Sequence, residues 1–130
     1  MSSIDNERLT SAIIGAAIEV HKHLGPSLLE KYYQIALAHE LKLRGIKAER
    51  EVLIPFVYKD LHREDCARAD IIVENQVIIE VKACPENRSF HSKQLLTYLK
   101  MTGLKLGLVI NFNNDLLTKG IIRVVNNLEE

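Results

Sequence analysis

The segment from Arg68 to Cys84, RADIIVENQVIIEVKAC, decides the fold of this chain. It contains two runs of Ile and Val separated by a single polar break, a pattern typical of two strands that are buried on at least one face. Asp70 lies in the first run, and Glu80 and Lys82 lie in the second. Because an unpaired charge inside a core costs several kcal/mol, three charged residues in such strands indicate a functional site.

The polar break Glu74–Gln76 predicts the register of this hairpin, because Asn tolerates the left-handed conformation that a tight turn requires. If these residues form the loop, Asp70 lies directly opposite Glu80 on the same face, with Cβ atoms about 5 Å apart. Two carboxylates at that spacing can share one divalent cation through oxygens at about 2.1 Å. Lys82 then stands beside them as a positive charge. A loop shorter by one residue would turn the acids to opposite faces.

The composition favours one globular domain over residues 1–130, since the chain has 130 residues of which 47% are hydrophobic. It lacks the run of about 18 apolar residues that a membrane span needs. The polar N-terminus does not resemble a secretory signal, so we expect a cytoplasmic protein. The 17 basic and 17 acidic residues balance, which argues against strong DNA binding unless the basic residues cluster.

The hydrophobic periodicity predicts a mixed α/β fold with an antiparallel meander and a helical crossover. We predict helices over residues 5–23 and 28–44, with Ser27 as the N-cap of the second, and a third helix that Ser89 caps and that ends at Gly103. The predicted strands cover residues 48–58, both arms of the hairpin 66–84, 106–112 and 121–125. Pro55 indicates an edge strand or a bulge.

The two cysteines, Cys66 and Cys84, fall opposite each other in the predicted hairpin register, which makes a cross-strand disulfide geometrically conceivable. Two small, buried, reduced side chains are the favoured interpretation for a cytoplasmic protein. The spacing of Cys and His residues does not match a structural zinc site.

An αβββαβ core with Asp on its second strand and Glu-x-Lys on its third resembles the PD-(D/E)xK nuclease superfamily. Residues 10–126 are similar to the GxxExxY family, a branch of that superfamily. The similar segments are residues 16–33, 68–70, 79–83, 94–99 and 107–112. The resemblance implies a restriction-endonuclease-like core with an extra N-terminal helix. Ser27 replaces the glycine that gives the family its name, and Ala69 replaces the nominal proline of the superfamily.

The resemblance also implies roles for the charged residues. Asp70 and Glu80 would bind Mg²⁺ or Mn²⁺, and Lys82 would position or activate the attacking water. Glu30, from the helix before the sheet, would be an accessory acid and a third metal ligand. The alternative for Glu30 is a solvated glutamate in the first turn of a helix. For the other three residues, the alternative is a structural ion-pair cluster that includes Arg68.

Two polar residues of the third helix complete the site that the resemblance implies. Gln94 and Tyr98 are four residues apart, so they share one helix face, which would point toward the acids. The alternative is a polar rim beside an apolar stripe. His21 belongs to the similar N-terminal segment and is a candidate for the border of the site. A stabilising position near a helix C-terminus also explains it.

The expected function is therefore metal-dependent hydrolysis of phosphodiester bonds in nucleic acid, with DNA expected in preference to RNA. A homodimer would double a binding surface that is small in a chain of this length. The alternative is a catalytically silent module that keeps the nuclease fold and binds nucleic acid or a protein partner. The intact set of Asp70, Glu80 and Lys82 argues against the silent module, because such a module has no reason to bury three charges together.

Overall fold

The computed structural model describes residues 5–128, which form three α-helices, five strands and one 3-10 turn. The elements in chain order are α1 (Asn6–Leu24), α2 (Glu30–Leu43), β1 (Ala48–Tyr58), β2 (Leu61–Val73), β3 (Val77–Lys82), α3 (Arg88–Thr102), β4 (Leu106–Asn111), the 3-10 turn (Leu117–Gly120) and β5 (Ile121–Val125). This order confirms the mixed α/β fold with a restriction-endonuclease-like core and an extra N-terminal helix.

The five strands form one mixed sheet in the order β1-β2-β3-β4-β5. Only β3 and β4 run parallel, because α3 connects them as a crossover, and the other neighbours are antiparallel. In the central hairpin, Val73 pairs with Val77, so Glu74–Gln76 forms the predicted loop. Glu74 and Asn75 have φ values of 51° and 55°, in the left-handed region that this turn needs.

Helices cover both faces of the sheet and bury a separate apolar cluster on each. The larger cluster packs α1 and α2 against one face, and Tyr33 of α2 stacks on Phe112 with ring centroids 4.4 Å apart. The smaller cluster packs α3 against the other face. There Gly107 of β4 allows a close approach of the helix, because an added Cβ would lie 2.7 Å from Leu95.

Two predicted helix caps are wrong. Ser27 has a φ of 83° and lies in the turn before α2, so Leu29 takes the N-cap position without a side-chain hydrogen bond. Ser89 lies within α3, where Asn87 is the N-cap and accepts a hydrogen bond from the Phe90 N–H across 3.3 Å. In both cases several polar residues precede the helix, and the backbone of the turn decides which of them becomes the cap.

The outer half of the β1–β2 hairpin contains a bulge between Ile54 and Phe56, where Pro55 was expected to mark an edge or a bulge. Both cysteines are free thiols, as expected, but Cys66 is exposed and Cys84 is only half-buried, so the expectation that both are buried is wrong. The pairing of β2 with β3 stops at Ile71 and Ile79, so the register does not extend as far as Cys66.

Among residues 5–128, the helices are too short or too polar to cross a membrane.

Candidate functional site

The regular alternation of side chains along β2 is interrupted at Asp70. Ala69 packs in the cluster under α3, whereas Ile71 packs in the cluster under α1 and α2. Opposite this point on β1, Glu51 has a φ of 55°, which an L residue rarely adopts. The simple pleat that we assumed from the sequence therefore fails here. Backbone irregularities of this kind are enriched at functional sites, where they re-aim a side chain.

At the interruption, the side chains of Asp70 and Glu80 replace the backbone ladder between β2 and β3. The Asp70 N–H donates to Oε2 of Glu80 across 2.9 Å. In return, the Val81 N–H donates to Oδ2 of Asp70 across 2.8 Å. Each carboxylate thus accepts a hydrogen bond from the backbone of the other strand. These reciprocal bonds hold the two acids together at the end of the ladder, as the predicted register requires.

Burial and neighbouring negative charges raise the proton affinity of both acids. Glu80 is only 3% exposed, and burial followed by the charge of Asp70 raises its pKa to about 8. Burial also raises the pKa of Asp70, while the Val81 N–H and the charge of Lys82 act in the opposite direction. Negative charge at this point of the sheet is thus only partly compensated by the protein. A bound cation would favour the ionised form of both acids.

Lys82 follows Glu80 on β3 and contacts α3. Its Nζ donates a hydrogen bond to Oε1 of Gln94 across 3.1 Å. Gln94 also interacts with Tyr98, whose pKa is raised by burial and by the negative charge of Glu80. The phenol of Tyr98 therefore stays protonated near neutral pH and remains a hydrogen-bond donor. Gln94 and Tyr98 thus lie near Lys82 and the acidic pair, and their role in the site stays a prediction.

Glu30 reaches the same region from the first turn of α2. Its Oε2 accepts a hydrogen bond from the Ala83 N–H, just beyond the end of β3, across 3.3 Å. Its charge contributes to the raised pKa of both Asp70 and Glu80. The side chain is exposed and bound to the backbone, so Glu30 acts on the two acids through its charge rather than through a direct contact.

Sequence reasoning missed Gln34 and Arg50 as site residues, and it interpreted Arg50 as part of a solvated run of mixed charge. Gln34 is 5% exposed, and its Nε2 donates to Oδ1 of Asp70 across 3.2 Å. Its Oε1 accepts from Nε of Arg50 across 3.1 Å. A guanidinium can only donate, so Arg50 fixes which end of the amide faces Asp70. The spacing of Gln34 from Glu30, four residues on the same helix face, was the available signal.

The donor chemistry of the acidic pair fits a hard divalent cation. Mg²⁺ in proteins is bound through one or two carboxylates together with water and substrate phosphate, and Asp70 and Glu80 supply such carboxylates. Within the described range 5–128, no group of three or more His, Cys, Asp or Glu side chains converges as a metal cluster. The structure therefore does not place Glu30 as a third ligand beside the other two acids.

The buried histidines lie to either side of this site. His21 packs 6.1 Å from the ring of Phe112, in the cluster under α1 and α2, and its role at the site border stays a prediction. His91 of α3 lies on the other side, with Nε2 3.7 Å from Sγ of Cys84. Burial and the charge of Lys82 lower the pKa of His91, so the ring stays neutral near pH 7.

Comparison with known proteins identifies the family of the chain. A family model of the PD-(D/E)XK nuclease superfamily matches residues 7–124. The match extends from α1 to β5 and includes all six residues that the sequence nominated for the site. No curated protein and no solved structure matches the chain.

Proposed function

The chain belongs to the PD-(D/E)xK nuclease superfamily, and from this premise we propose that it is a metal-dependent nuclease that hydrolyses phosphodiester bonds of nucleic acid. The observation that carries the proposal is the reciprocal hydrogen bonding of Asp70 and Glu80 at the end of the β2–β3 ladder. Two buried carboxylates that are held together at raised pKa values are typical of a functional site.

In this proposal Asp70 and Glu80 hold Mg²⁺ or Mn²⁺. When bound, the ion polarises the scissile phosphate and lowers the pKa of a coordinated water. Asp70 is oriented from both sides, by Gln34 at Oδ1 and by the Val81 N–H at Oδ2. Its carboxylate plane is therefore fixed before any ligand binds, which reduces the cost of assembling the site.

Lys82 supplies the positive charge on the side of α3. Its hydrogen bond to Gln94 holds the ammonium group beside the acids, from where it orients the attacking water or stabilises the charge that develops on phosphorus oxygens. Tyr98 is a protonated donor at the same border and supports Gln94. Glu30 acts as the accessory acid, and its direct participation as a ligand requires its release from the Ala83 N–H.

A cleavage assay with labelled oligonucleotides tests this function. The substrates are single- and double-stranded DNA and RNA, each with EDTA, Mg²⁺ or Mn²⁺, and we expect cleavage of DNA in preference to RNA. Asp70→Asn and Glu80→Gln remove one ligand charge each and are expected to abolish cleavage. Asp65→Asn is the matched control, because Asp65 is an exposed aspartate on the same strand. Metal-dependent cleavage that survives in Asp70→Asn would show that another site, or a contaminant, is responsible.

The catalytically silent module is the outcome that would replace this proposal. It predicts that nucleic acid or a protein binds to the wild-type chain without cleavage in either metal, and that Asp70→Asn binds equally well. Metal-dependent thermal stabilisation separates the cases further. A Mn²⁺-induced rise in melting temperature that vanishes in Asp70→Asn supports a metal site at this position.

We also propose that the chain lies in the GxxExxY branch and that residues 1–130 form one cytoplasmic domain. The segments 16–33 and 79–83 support the branch, and the shared sheet of the described residues supports a single folding unit. One cooperative unfolding transition is the expected result for a single domain.

A homodimer is the assembly we propose, because a shallow site gains binding surface from a second copy. Light scattering measures the molar mass directly.

A further inference from the structure

A groove of about 500 Å³ lies outside the acidic site, between α2 and the start of β1. The groove is lined by two large apolar residues, Ile35 and Ile46, and by four basic residues, His39, Lys42, Lys47 and Arg50. Two alanines complete the lining, so it contains no acidic residue. In a chain with formal net charge zero, this groove is a local concentration of basic groups.

The basic side chains of the groove are available to a ligand. His39, Lys42, Lys47 and Arg50 are all exposed. Glu74 accepts a hydrogen bond from the Lys47 N–H across 2.7 Å, and the hydrogen bond from Lys31 together with the charge of Arg50 lowers the pKa of Glu51. The ammonium group of Lys47 pairs with Glu49, whose carboxylate lies 3.6 Å from Nζ. Both partners of that pair are largely exposed, and such pairs contribute little to stability, so a polyanion can displace it.

Arg50 connects the groove to the acidic site. It lines the groove, and its Nε donates to Gln34, which in turn donates to Asp70. Two hydrogen bonds therefore separate the groove wall from a proposed metal ligand. The groove and the acids are therefore neighbouring parts of one surface region, linked through Arg50 and Gln34.

The dimensions of the groove fit a short tract of nucleic-acid backbone. Ile35, Ala38, His39 and Lys42 face it from two turns of α2, a span of about 10 Å at 1.5 Å per residue. One DNA strand carries a phosphate about every 3.4 Å of helix axis, so the groove has the length of about three phosphates.

We propose that this groove binds the sugar–phosphate backbone of the nucleic-acid substrate. The bound stretch of backbone would lie to one side of the scissile phosphate, against α2 and the start of β1. The proposal rests on the proposed nuclease function. In this arrangement Lys42 and Lys47 contact phosphates, and the apolar side chains of Ile35 and Ile46 face the sugars. Arg50 lies between the groove and the acids. Such contacts fix the register of the strand without reading its sequence.

Binding without cleavage tests the proposal. Fluorescence anisotropy of a labelled DNA duplex in EDTA measures the Kd of the wild type and of the double variant Lys42→Gln/Lys47→Gln. The double variant Lys100→Gln/Lys105→Gln is the matched control, since it removes the same charge from exposed lysines at the end of α3 and after it. Arg50 is left unchanged because it also orients Gln34.

We expect the groove variant to bind at least tenfold more weakly near 0.1 M salt, and the slope of log Kd against log salt to fall by about 1.8. The control pair should leave Kd and slope close to those of the wild type. Equal losses in both variants, or no loss in either, would overturn the groove proposal.

Cleavage kinetics separate this proposal from the nuclease function. If the wild type cleaves DNA and the groove variant has the same KM, the groove proposal is wrong and the nuclease function stands. If the wild type binds DNA through the groove but does not cleave it, the nuclease function is wrong and the groove proposal stands. Melting temperatures of both double variants near that of the wild type exclude misfolding as the cause of weaker binding.

Discussion

The side-chain amide of Gln34 lies 3.2 Å from Oδ1 of Asp70 and joins α2 to the irregular point of β2. Its orientation is fixed, because Arg50 occupies the carbonyl end of the amide as a donor. The bond thus combines two properties that matter for a metal ligand: it favours the ionised carboxylate and restricts its rotation. We therefore propose that Gln34 orients the metal ligand Asp70 and does not bind the metal itself.

We predict that Gln34→Leu weakens Mn²⁺ binding by about tenfold or more, the usual effect of losing a partner of a metal ligand. Isothermal titration calorimetry measures this affinity without any substrate. NMR titration of the Asp70 carboxyl in EDTA gives a second reading, in which its pKa rises because a hydrogen bond to the charged form is lost. A merely structural role for Gln34 would not move that pKa.

The control for this variant is Tyr32→Phe, which changes an exposed side chain two residues away on α2. It should leave the Mn²⁺ affinity and the Asp70 titration unchanged. If Gln34→Leu binds Mn²⁺ as tightly as the wild type while Asp70→Asn does not, the orienting role of Gln34 is wrong and the ligand role of Asp70 stands.

The second prediction concerns the dependence of stability on pH in the metal-free protein. Burial and the charge of Asp70 raise the pKa of Glu80 from 4.5 to about 8. An acid with a raised pKa binds more protons in the folded state, so its contribution favours folding at low pH and is lost as the pH rises from about 4.5 to about 8. We expect the wild type in EDTA to lose stability of the order of 3 kcal/mol over this window relative to Glu80→Gln.

Denaturant unfolding of both proteins at pH 5 and pH 8 measures this difference. Comparing the two removes the contributions of the titrating groups that do not interact with Glu80, since those groups are the same in both proteins. The amide keeps an oxygen that can accept from the Asp70 N–H, so the fold is maintained. Parallel pH curves for the two proteins would contradict the proposed protonation of Glu80.

The sequence contained enough information for the β2–β3 hairpin and for the proximity of Asp70 and Glu80. Ile and Val runs of the right length fix two strands, and Glu74–Gln76 admits only one loop length that keeps Asp70 near Glu80. These are local signals, because the period of a strand and the chemistry of a turn are properties of neighbouring residues.

The remaining features of the site depend on contacts distant in sequence. The change of face between Ala69 and Ile71 lies opposite the irregular backbone of Glu51, which is on another strand and precedes Asp70 by nineteen residues. The burial of Gln34 depends on Asp70 and Arg50 at once. Alternation along β2 alone cannot reveal either feature, so the pleat argument placed Asp70 correctly in register but not in orientation.

The third prediction tests the packing of α3, which carries Gln94 and Tyr98. Gly107→Ala would place a methyl group 2.7 Å from Leu95, so the helix must shift or the side chain must leave its rotamer. We expect a loss of about 1–3 kcal/mol of stability, the usual cost of overpacking. The double variant Gly107→Ala/Leu95→Ala should lose less than the sum of the single variants, because the added methyl group fills part of the cavity. Additive losses in denaturant unfolding would reject this contact.

The fourth prediction separates binding from chemistry at Lys82. Its ammonium group bonds to Gln94, and its charge opposes the raised pKa values of Asp70 and Glu80. Lys82→Met should therefore lower the cleavage rate by about a hundredfold or more, the typical effect of removing a group that stabilises transition-state charge. It should leave the Mn²⁺-induced rise in melting temperature intact or larger, since a positive charge beside the cation is removed.

Lys93→Met serves as the matched control for Lys82→Met, because Lys93 is an exposed lysine next to Gln94 on α3. It should leave the cleavage rate and the Mn²⁺ effect unchanged. If Lys82→Met loses metal stabilisation together with cleavage, Lys82 supports the ligands rather than the reaction. If it loses neither, the proposed role of Lys82 is wrong, and the positive charge that assists phosphodiester hydrolysis must come from another residue.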